Sequence, residues 1–254
     1  MSDAEGLKKD LVAYCESIGI RMVRSSSIAS LRDSKALHDG ALSLLPGARS
    51  VVSFTRTMPK GALRLCKDES RGLAFYSRLA GLGARDLDDK ALKVSVFLED
   101  RGFEAVPVFS CVPMAVPGKL DLRGYVSQID LAARSGLGWI GKNGLLISPE
   151  HGTRVGIGTV VTDAELKQDA PLQQGCPEDC FLCVEKCPVS AIDGSGKVDR
   201  LRCTPVQAMA PISLMLAKDF SPREHVSMLV NMGAVDEHIW YKCNACVVSC
   251  PIGM

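Results

Sequence analysis

Cysteine spacing is the feature of this 254-residue sequence that most constrains its fold. Eight of the eleven cysteines lie between residues 176 and 250: seven form two runs that each end in C-x2-C-x3-C-P, and Cys203 lies between the runs. The other three, Cys15, Cys66 and Cys111, are expected to be small core residues. The opening residues MSDAEGLKKDL lack the apolar segment of a signal peptide, so we expect a cytoplasmic protein. Because cytosolic thiols stay reduced, the two runs predict a metal-binding region rather than a disulfide framework.

The C-x2-C-x3-C-P spacing is that of bacterial ferredoxins with two [4Fe-4S] clusters, in which the cysteine before proline ligates the other cluster. The two runs therefore predict two clusters with exchanged ligands. We expect cluster 1 to bind Cys176, Cys180, Cys183 and Cys250. We expect cluster 2 to bind Cys187, Cys203, Cys243 and Cys246. Two clusters in one chain predict one-electron transfer into and out of the protein.

Zinc is the alternative occupant, because paired C-x2-C motifs also bind zinc. The doubled C-x3-C-P ending favours iron–sulfur clusters over zinc. The first run departs from the usual spacing, since three residues instead of two separate Cys176 from Cys180. This departure concerns Cys176 alone among the eight predicted ligands.

A second motif, GLGWIGKNGLLIS at residues 136–148, fits two nucleotide-binding patterns at once. Gly136, Gly138 and Gly141 spell the dinucleotide fingerprint, G-x-G-x-x-G. Gly136, Gly141 and Lys142 give most of a phosphate-binding loop, G-x-x-x-x-G-K. Both patterns require a strand before the glycines and a helix after them, because the helix N-terminus holds the phosphates.

The context of this motif has the opposite order. Residues 125–135 have helical periodicity, and residues 145–148 are apolar and β-like. Asn143 stands where the phosphate-binding loop needs Ser or Thr. We therefore expect a helix-to-strand turn, in which Gly136 ends the helix, instead of a nucleotide site.

Alternating helical and strand-like patterns before the cysteine runs predict an α+β domain, a sheet covered by helices. The predicted helices are one from the N-terminus to Ile18 and one over 87–103; the predicted strands are 20–24, 50–57, 104–109 and 153–163. Pro107 favours an edge position for its strand. Gly156 and Gly158 share one face of the last strand, which is typical either of a closely approaching ligand or of a bulge.

Net charge and hydropathy give no indication of two classes of partner, nucleic acids and membranes. The formal net charge of +1 gives no electrostatic sign of binding to nucleic acid or to an anionic membrane. No apolar run approaches the length of a membrane span.

The glycine motif, the strand after it and the two cysteine runs together resemble the epoxyqueuosine reductase family, as does LLPGARSVVSF at residues 44–54. Corrinoid-dependent reductive dehalogenases are more distant relatives. The resemblance implies that residues 1–170 form an α+β domain, similar to flavin reductases and nitroreductases, that holds cobalamin. It implies that residues 171–254 form a ferredoxin-like domain whose two clusters pass electrons to the cobalt.

In that setting the glycine motif would be a wall beside a flat macrocycle instead of a phosphate cradle. The cofactor-binding residues implied by the resemblance are Gly136, Gly138, Trp139, Ile140, Gly141, Lys142, Gly156, Ile157 and Gly158.

The sequence departs from the family at two places. The family's catalytic aspartate lies in an Asp-Ser-x-Pro stretch, where this sequence has Leu122, with Asp121 one residue earlier and no Ser-x-Pro after it. Asp121 and Tyr125 are candidate catalytic residues by proximity alone. The family's helical repeats that grip tRNA are not expected, since the sequence ends four residues after Cys250, and tRNA is therefore a disfavoured partner.

Three functions follow from these patterns. The first is an enzyme that reduces a small substrate at a corrinoid, with electrons from a low-potential donor such as ferredoxin or flavodoxin. The second is an electron-transfer protein that reduces a partner such as a corrinoid protein. The third, ranked below these two, is epoxyqueuosine reduction on tRNA.

Overall fold

The computed structural model describes residues 2–67, 72–109, 124–200, 202–203 and 243–253. Contacts between residues divide the chain into two units. The first contains residues 1–56, 85–140 and 155–174, and the second contains residues 57–84, 141–154 and 175–254. The predicted domains, 1–170 and 171–254, stay a prediction.

The helices are α1 (Ser2–Ser17), α2 (Lys35–Leu44), α3 (Lys60–Leu65), α4 (Gly72–Glu99), α5 (Gln128–Arg134), α6 (Leu182–Glu185) and α7 (Ala245–Val248). The strands are β1 (Met22–Ser27), β2 (Ser50–Thr57), β3 (Ala105–Val108), β4 (Trp139–Ile140), β5 (Leu146–Ile147) and β6 (Val155–Thr162). The predicted strand at 50–57 is confirmed at both ends. The predicted strand at 20–24 is wrong in its bounds, since β1 begins and ends later.

A four-stranded sheet in the order β1-β2-β6-β3 is the centre of the first unit. β1 is antiparallel to β2, and β3 is antiparallel to β6. The amide of Arg49 donates to the carbonyl of Thr162 (2.9 Å) where β2 begins and β6 ends, so these two strands are also antiparallel. β3 lies at an edge, as Pro107 predicts, because proline cannot donate to a neighbouring strand.

Both faces of this sheet are buried, which explains why residues 50–55 of β2 are all buried. On one face, Val52 and Phe54 of β2 pack with side chains of α1 and α4. On the other face, Val51 of β2 packs with side chains of α2 and α5. Adjacent strand residues point to opposite faces, so the neighbouring Val51 and Val52 contribute to different cores. The result is the predicted α+β arrangement of a sheet covered by helices.

Helix α5 ends as the sequence predicts. Gly136 has a φ of +85°, its amide donates to the carbonyl of Ala133 (3.1 Å), and the amide of Leu137 donates to that of Ala132 (3.0 Å). This pair of bonds is the Schellman motif, which glycine favours because it has no Cβ. The order around the glycine motif is therefore helix, turn and strand, the reverse of what a nucleotide site requires.

Among the helices in the described part of the chain, none is long and apolar enough to cross a membrane.

Candidate metal centre

The two cysteine runs of the second unit adopt the same local structure. Helices α6 and α7 are single turns whose second residues are Cys183 and Cys246. In each run one cysteine comes two residues before the turn, and the cysteine preceding proline comes two residues after it. A tight turn brings cysteines that are distant along an extended chain close together. The repeated geometry matches the repeated spacing on which the prediction of two clusters depends.

The four cysteines of the first predicted ligand set lie around one cavity. A cavity with about 330 Å³ of empty space, counting the part open to solvent, is lined by all four thiols of the set. These are Cys176, Cys180, Cys183 and Cys250. Its other walls include Ile147, Leu182 and Pro251, and no carboxylate is among the described residues that line it. Four sulfur donors without a carboxylate suit an iron–sulfur cluster, because soft thiolates are the ligands that such clusters bind.

The thiols of this cavity act on one another electrostatically. Burial raises the pKa of Cys250, and the thiols of Cys176 and Cys180 raise it further, against the Ile252 amide and the Thr153 side chain. Burial likewise raises the pKa of Cys183, and Cys176 adds to that effect. Neutral thiols are thus favoured when no cation is near, and a bound cluster would favour the thiolates.

The second predicted set is also close in space. Burial and neighbouring thiols, Cys243 first and then Cys203, raise the pKa of Cys246 to about 12. Cys187 contributes to the same shift, and so does Cys183 of the first set. The sulfur of Cys187 also accepts a hydrogen bond from the amide of Ala191 (3.2 Å). The other three predicted ligands of cluster 2 therefore lie within electrostatic reach of Cys246.

A site for a single zinc ion has a defined geometry. Four sulfurs around one zinc ion, each about 2.3 Å from the metal, lie about 3.8 Å from one another. Across the described ranges, no group of three or more His, Cys, Asp or Glu side chains is arranged to hold one ion.

Lys142 of the glycine motif contacts the first cysteine run. Its ammonium donates to the backbone carbonyls of Pro177 (2.9 Å), Glu178 (2.6 Å) and Cys180 (3.1 Å). The same ammonium lies 3.9 Å from the centre of the Phe181 ring, a cation–π contact. The lysine that the nucleotide pattern would assign to a phosphate is instead bound to a loop between two predicted cluster ligands.

Residues after Lys142 contact the second run. The Asn143 side chain is buried and lies 3.4 Å from the Cys246 carbonyl, to which it donates, and the Thr153 hydroxyl donates to the Val247 carbonyl (2.9 Å). Arg154, also buried, donates through Nε to the Gly253 carbonyl (2.8 Å). These contacts were not predicted from the sequence.

Gly152 shows how closely the two segments approach. Its φ is +56°, and a Cβ at this position would lie 1.7 Å from the carbonyl oxygen of Ile252. Only glycine allows the backbone of residues 148–152 to lie against the chain just after Cys250. The sequence signal of the contact is Gly152 itself, since glycine is typical of positions where a backbone approaches closely.

Gly156 and Gly158 have close neighbours within the first unit. A Cβ at Gly156 would lie 2.7 Å from Cδ1 of Leu87, and one at Gly158 would lie 2.3 Å from Cε2 of Phe54. Close packing of side chains therefore explains both glycines without a ligand. Their role beside a macrocycle, and that of Ile157, stays a prediction.

The other predicted wall residues differ in exposure. Gly136, Gly138 and Gly141 are buried, whereas Ile140 is exposed. Trp139 is half-buried, and its indole Nε1 is buried with no hydrogen-bond partner among the residues that the structure describes.

Of the two catalytic candidates, Asp121 lies outside the described residues. Tyr125 is exposed, just before α5. Its catalytic role stays a prediction. Cys15 and Cys66 are buried core residues, as expected, and Cys111 is outside the described part of the chain.

Comparison with known proteins agrees with the resemblance read from the sequence. No family model matches the chain. The epoxyqueuosine reductase of Bacillus cereus is 26% identical over 272 residues, which cover 98% of this chain and 65% of that protein. The chain resembles the epoxyqueuosine reductases along nearly its whole length. The enzyme of Lactococcus garvieae is 33% identical over 128 residues, half of this chain and 32% of that protein. The chain thus spans about two thirds of the length of the relatives that match it end to end.

Solved structures share the fold. The epoxyqueuosine reductase of Streptococcus thermophilus superposes with a TM-score of 0.61 at 21% identity, over 98% of this chain and 66% of that one. A B12-dependent reductive dehalogenase has a TM-score of 0.61 at 15% identity, over 91% of this chain and 34% of that one. Another epoxyqueuosine reductase, with a TM-score of 0.62 at 19% identity over 98% of this chain and 65% of that one, was solved with an epoxyqueuosine-modified tRNA-Tyr stem loop. The mixed helix and sheet fold is therefore confirmed.

Proposed function

We propose that this protein is an iron–sulfur oxidoreductase that passes single electrons through two [4Fe-4S] clusters to a bound corrinoid, which reduces a small substrate. The observation that carries the proposal is the cavity of the second unit. Thiols from both cysteine runs line it together, which is the exchange of ligands that a two-cluster ferredoxin fold requires.

Within this proposal each group of residues has one task. Cys176, Cys180, Cys183 and Cys250 hold cluster 1, and Cys187, Cys203, Cys243 and Cys246 hold cluster 2. Residues 171–254 form the electron-transfer domain, and residues 1–170 hold the corrinoid. A low-potential donor such as ferredoxin or flavodoxin supplies the electrons, and the protein works in the cytoplasm.

Support for the corrinoid comes from Trp139 and from the resemblance. The indole Nε1 of Trp139 is buried with no acceptor among the described residues, and buried donors are almost always paired. The amide side chains of a corrinoid would offer carbonyl acceptors. When bound, the corrinoid would supply a strongly reducing cobalt centre, while Tyr125 would be available to donate a proton to the product.

Anaerobic purification followed by iron analysis tests the clusters. We expect about eight irons per chain, four for each cluster. Cys250→Ala should lose about half of the iron, because it removes one ligand of cluster 1. Cys15→Ala, a buried cysteine of the first unit, is the matched control and should keep all of it. Equal iron in Cys250→Ala and Cys15→Ala would contradict the ligand assignment.

Titration with cobalamin tests the second half of the proposal. We expect one cobalamin per chain and a change in its absorbance spectrum on binding. Full iron without cobalamin binding would favour the alternative function, an electron carrier that reduces a partner such as a corrinoid protein.

Reduction of epoxyqueuosine in tRNA is the second candidate function, and the comparisons favour it as much as they favour a small substrate. Several curated relatives that match 98% of the chain are named epoxyqueuosine reductase. Expression in a bacterium that lacks its own epoxyqueuosine reductase separates the candidates. Restored queuosine in tRNA would make tRNA the substrate, and its absence in a strain with intact clusters would favour the small-molecule reaction.

A further inference from the structure

The ammonium of Lys142 makes all of its hydrogen bonds to the protein itself. An ammonium has three N–H donors and no acceptor. The three carbonyls of Pro177, Glu178 and Cys180, at 2.6 to 3.1 Å, match that number. No donor is left over for a phosphate, although the sequence around Lys142 fits a phosphate-binding pattern.

The position of these carbonyls in the sequence indicates what the contact with Lys142 does. They belong to the loop from Cys176 to Cys180, the one segment of the two runs with an additional residue between cysteines. Pro177, Glu178 and Asp179 are all exposed, and this segment lacks regular secondary structure. The Cys180 amide donates to the Pro177 carbonyl (3.2 Å), and Lys142 binds the same carbonyl. Because Lys142 binds three carbonyls, it holds the loop in one conformation. An irregular loop of this length does not keep a single conformation by itself.

Lys142 is also next to the proposed cluster. It lines the same cavity as Cys176, Cys180, Cys183 and Cys250. The lysine is half-buried, so its charge is less screened than that of an exposed lysine. Addition of an electron makes a cluster more negative, and a positive charge nearby stabilises that state. Net charge and hydrogen bonding around the sulfurs are the main determinants of cluster potentials.

We infer that Lys142 is a positioning residue for cluster 1. It fixes the Cys176–Cys180 loop through three carbonyls, and its charge raises the reduction potential of the cluster that these cysteines hold. The inference rests on the proposed function for the presence of the clusters. It assigns to the lysine of the glycine motif a role in electron transfer instead of nucleotide or corrinoid binding.

The test compares four proteins purified anaerobically: the wild type, Lys142→Met, Lys142→Arg and Lys197→Met. Methionine keeps the length of the lysine side chain and removes the charge, and arginine keeps the charge. Lys197 is exposed in the same unit and lies in a different turn, so its loss is the matched control for charge. Iron per chain and a redox titration followed by electron paramagnetic resonance give the occupancy and the midpoint potential of each cluster.

We expect Lys142→Met to lower the potential of one cluster and to leave the other unchanged. The shift should correspond to about a tenfold fall in the reduced-to-oxidised ratio at a fixed potential, which is about 59 mV for one electron. Lys142→Arg should restore most of the shift, and Lys197→Met should cause little. If Lys142→Met fails to load cluster 1, Lys142→Gln, which keeps N–H donors without charge, is measured in its place.

The possible failures are distinguishable. A wild-type protein without iron overturns the proposed function, and this inference with it. Full iron in Lys142→Met with both potentials unchanged overturns the inference alone. An equal shift in Lys142→Met and Lys142→Arg overturns the role of charge, since arginine retains it.

Discussion

Replacement of Gly158 by alanine tests why β6 contains two glycines. A Cβ at this position would lie 2.3 Å from Cε2 and 2.4 Å from Cζ of Phe54, which is fully buried. Forcing additional atoms into a packed core costs about 1–3 kcal/mol. Alanine in place of glycine returns about 0.5–1 kcal/mol, because it loses less backbone freedom on folding. We therefore expect Gly158→Ala to lower the free energy of unfolding by about 1–2 kcal/mol.

The second substitution in this test is Phe54→Leu, because leucine lacks the Cε2 and Cζ atoms that the new methyl group meets. If packing against Phe54 is the reason for the glycine, Gly158→Ala should cost nothing or stabilise slightly in the Phe54→Leu background. The coupling energy between the two changes should be at least about 1 kcal/mol, within the range for residues in contact.

The assay is urea unfolding of the wild type, the two single variants and the double variant, followed by circular dichroism. Gly61→Ala is the control, because a Cβ there would meet nothing within 4 Å. It lies in α3, where alanine should stabilise by about 1 kcal/mol. Additive effects of Gly158→Ala and Phe54→Leu, within about 0.5 kcal/mol, would refute the packing explanation. Cobalamin binding that Phe54→Leu retains and the double variant loses would then favour a macrocycle beside β6.

Three further predictions concern other parts of the chain. Burial raises the pKa of Cys15 from 9.0 to about 12, so its thiol ionises first in the unfolded state. Relative to Cys15→Ala, the stability of the wild type should therefore not change below about pH 8 and should fall by about 1 kcal/mol between pH 9 and 10. A difference in urea midpoint between the two proteins that is the same at pH 9 and pH 10 would contradict this. Gly136→Ala should cost more than Gly102→Ala in thermal unfolding, because both have a φ near +85° but only Gly136 has a backbone oxygen 2.2 Å from the added Cβ. Gly102→Ala should cost about 1–2 kcal/mol, and equal losses would mean that the oxygen moves away freely. Thr153→Val should lower the free energy of unfolding by about 1–3 kcal/mol, since it leaves a buried carbonyl of the second cysteine run unpaired. It should also speed iron release to a chelator, and release at the wild-type rate would mean that Thr153 does not stabilise the metal centre.

Several fold elements could be predicted from the sequence because their determinants are local. The β-branched residues of β2, the proline of β3 and Gly136 after α5 each act within a few residues of their own position. Helix α4 was only partly predicted, since it begins at Gly72 instead of residue 87 and ends at Glu99 instead of 103. Gly81 and Gly83 lie in its first half, and each glycine costs about 1 kcal/mol in a helix. Burial of Tyr76 and Leu87 supplies stabilisation that a local pattern does not contain.

The same distinction applies to the candidate metal centre. The type of the predicted ligands and their grouping into two sets follow from the cysteine spacing, because the tight turns of α6 and α7 are local structures. The residues that hold those turns come from elsewhere: Lys142 binds carbonyls 35 to 38 positions away, and Arg154 binds one 99 positions away. No periodicity or spacing rule reports such contacts, so sequence reasoning could identify the motif of Lys142 without identifying its partners.

The structural role of the glycine motif follows from the partners of its hydrogen-bond donors. A phosphate-binding loop keeps its lysine and its backbone amides free for the ligand, at the start of a helix. Here a helix ends at Gly136, the Gly141 amide donates to the Leu145 carbonyl (2.9 Å), and Lys142 is bound to three carbonyls. A loop whose donors are already paired within the protein contributes rigidity, and rigidity next to the proposed cluster would reduce the rearrangement that accompanies each electron transfer. Glycine is needed at such a loop for the close approach of two backbones, which the contact of Gly152 with Ile252 demonstrates.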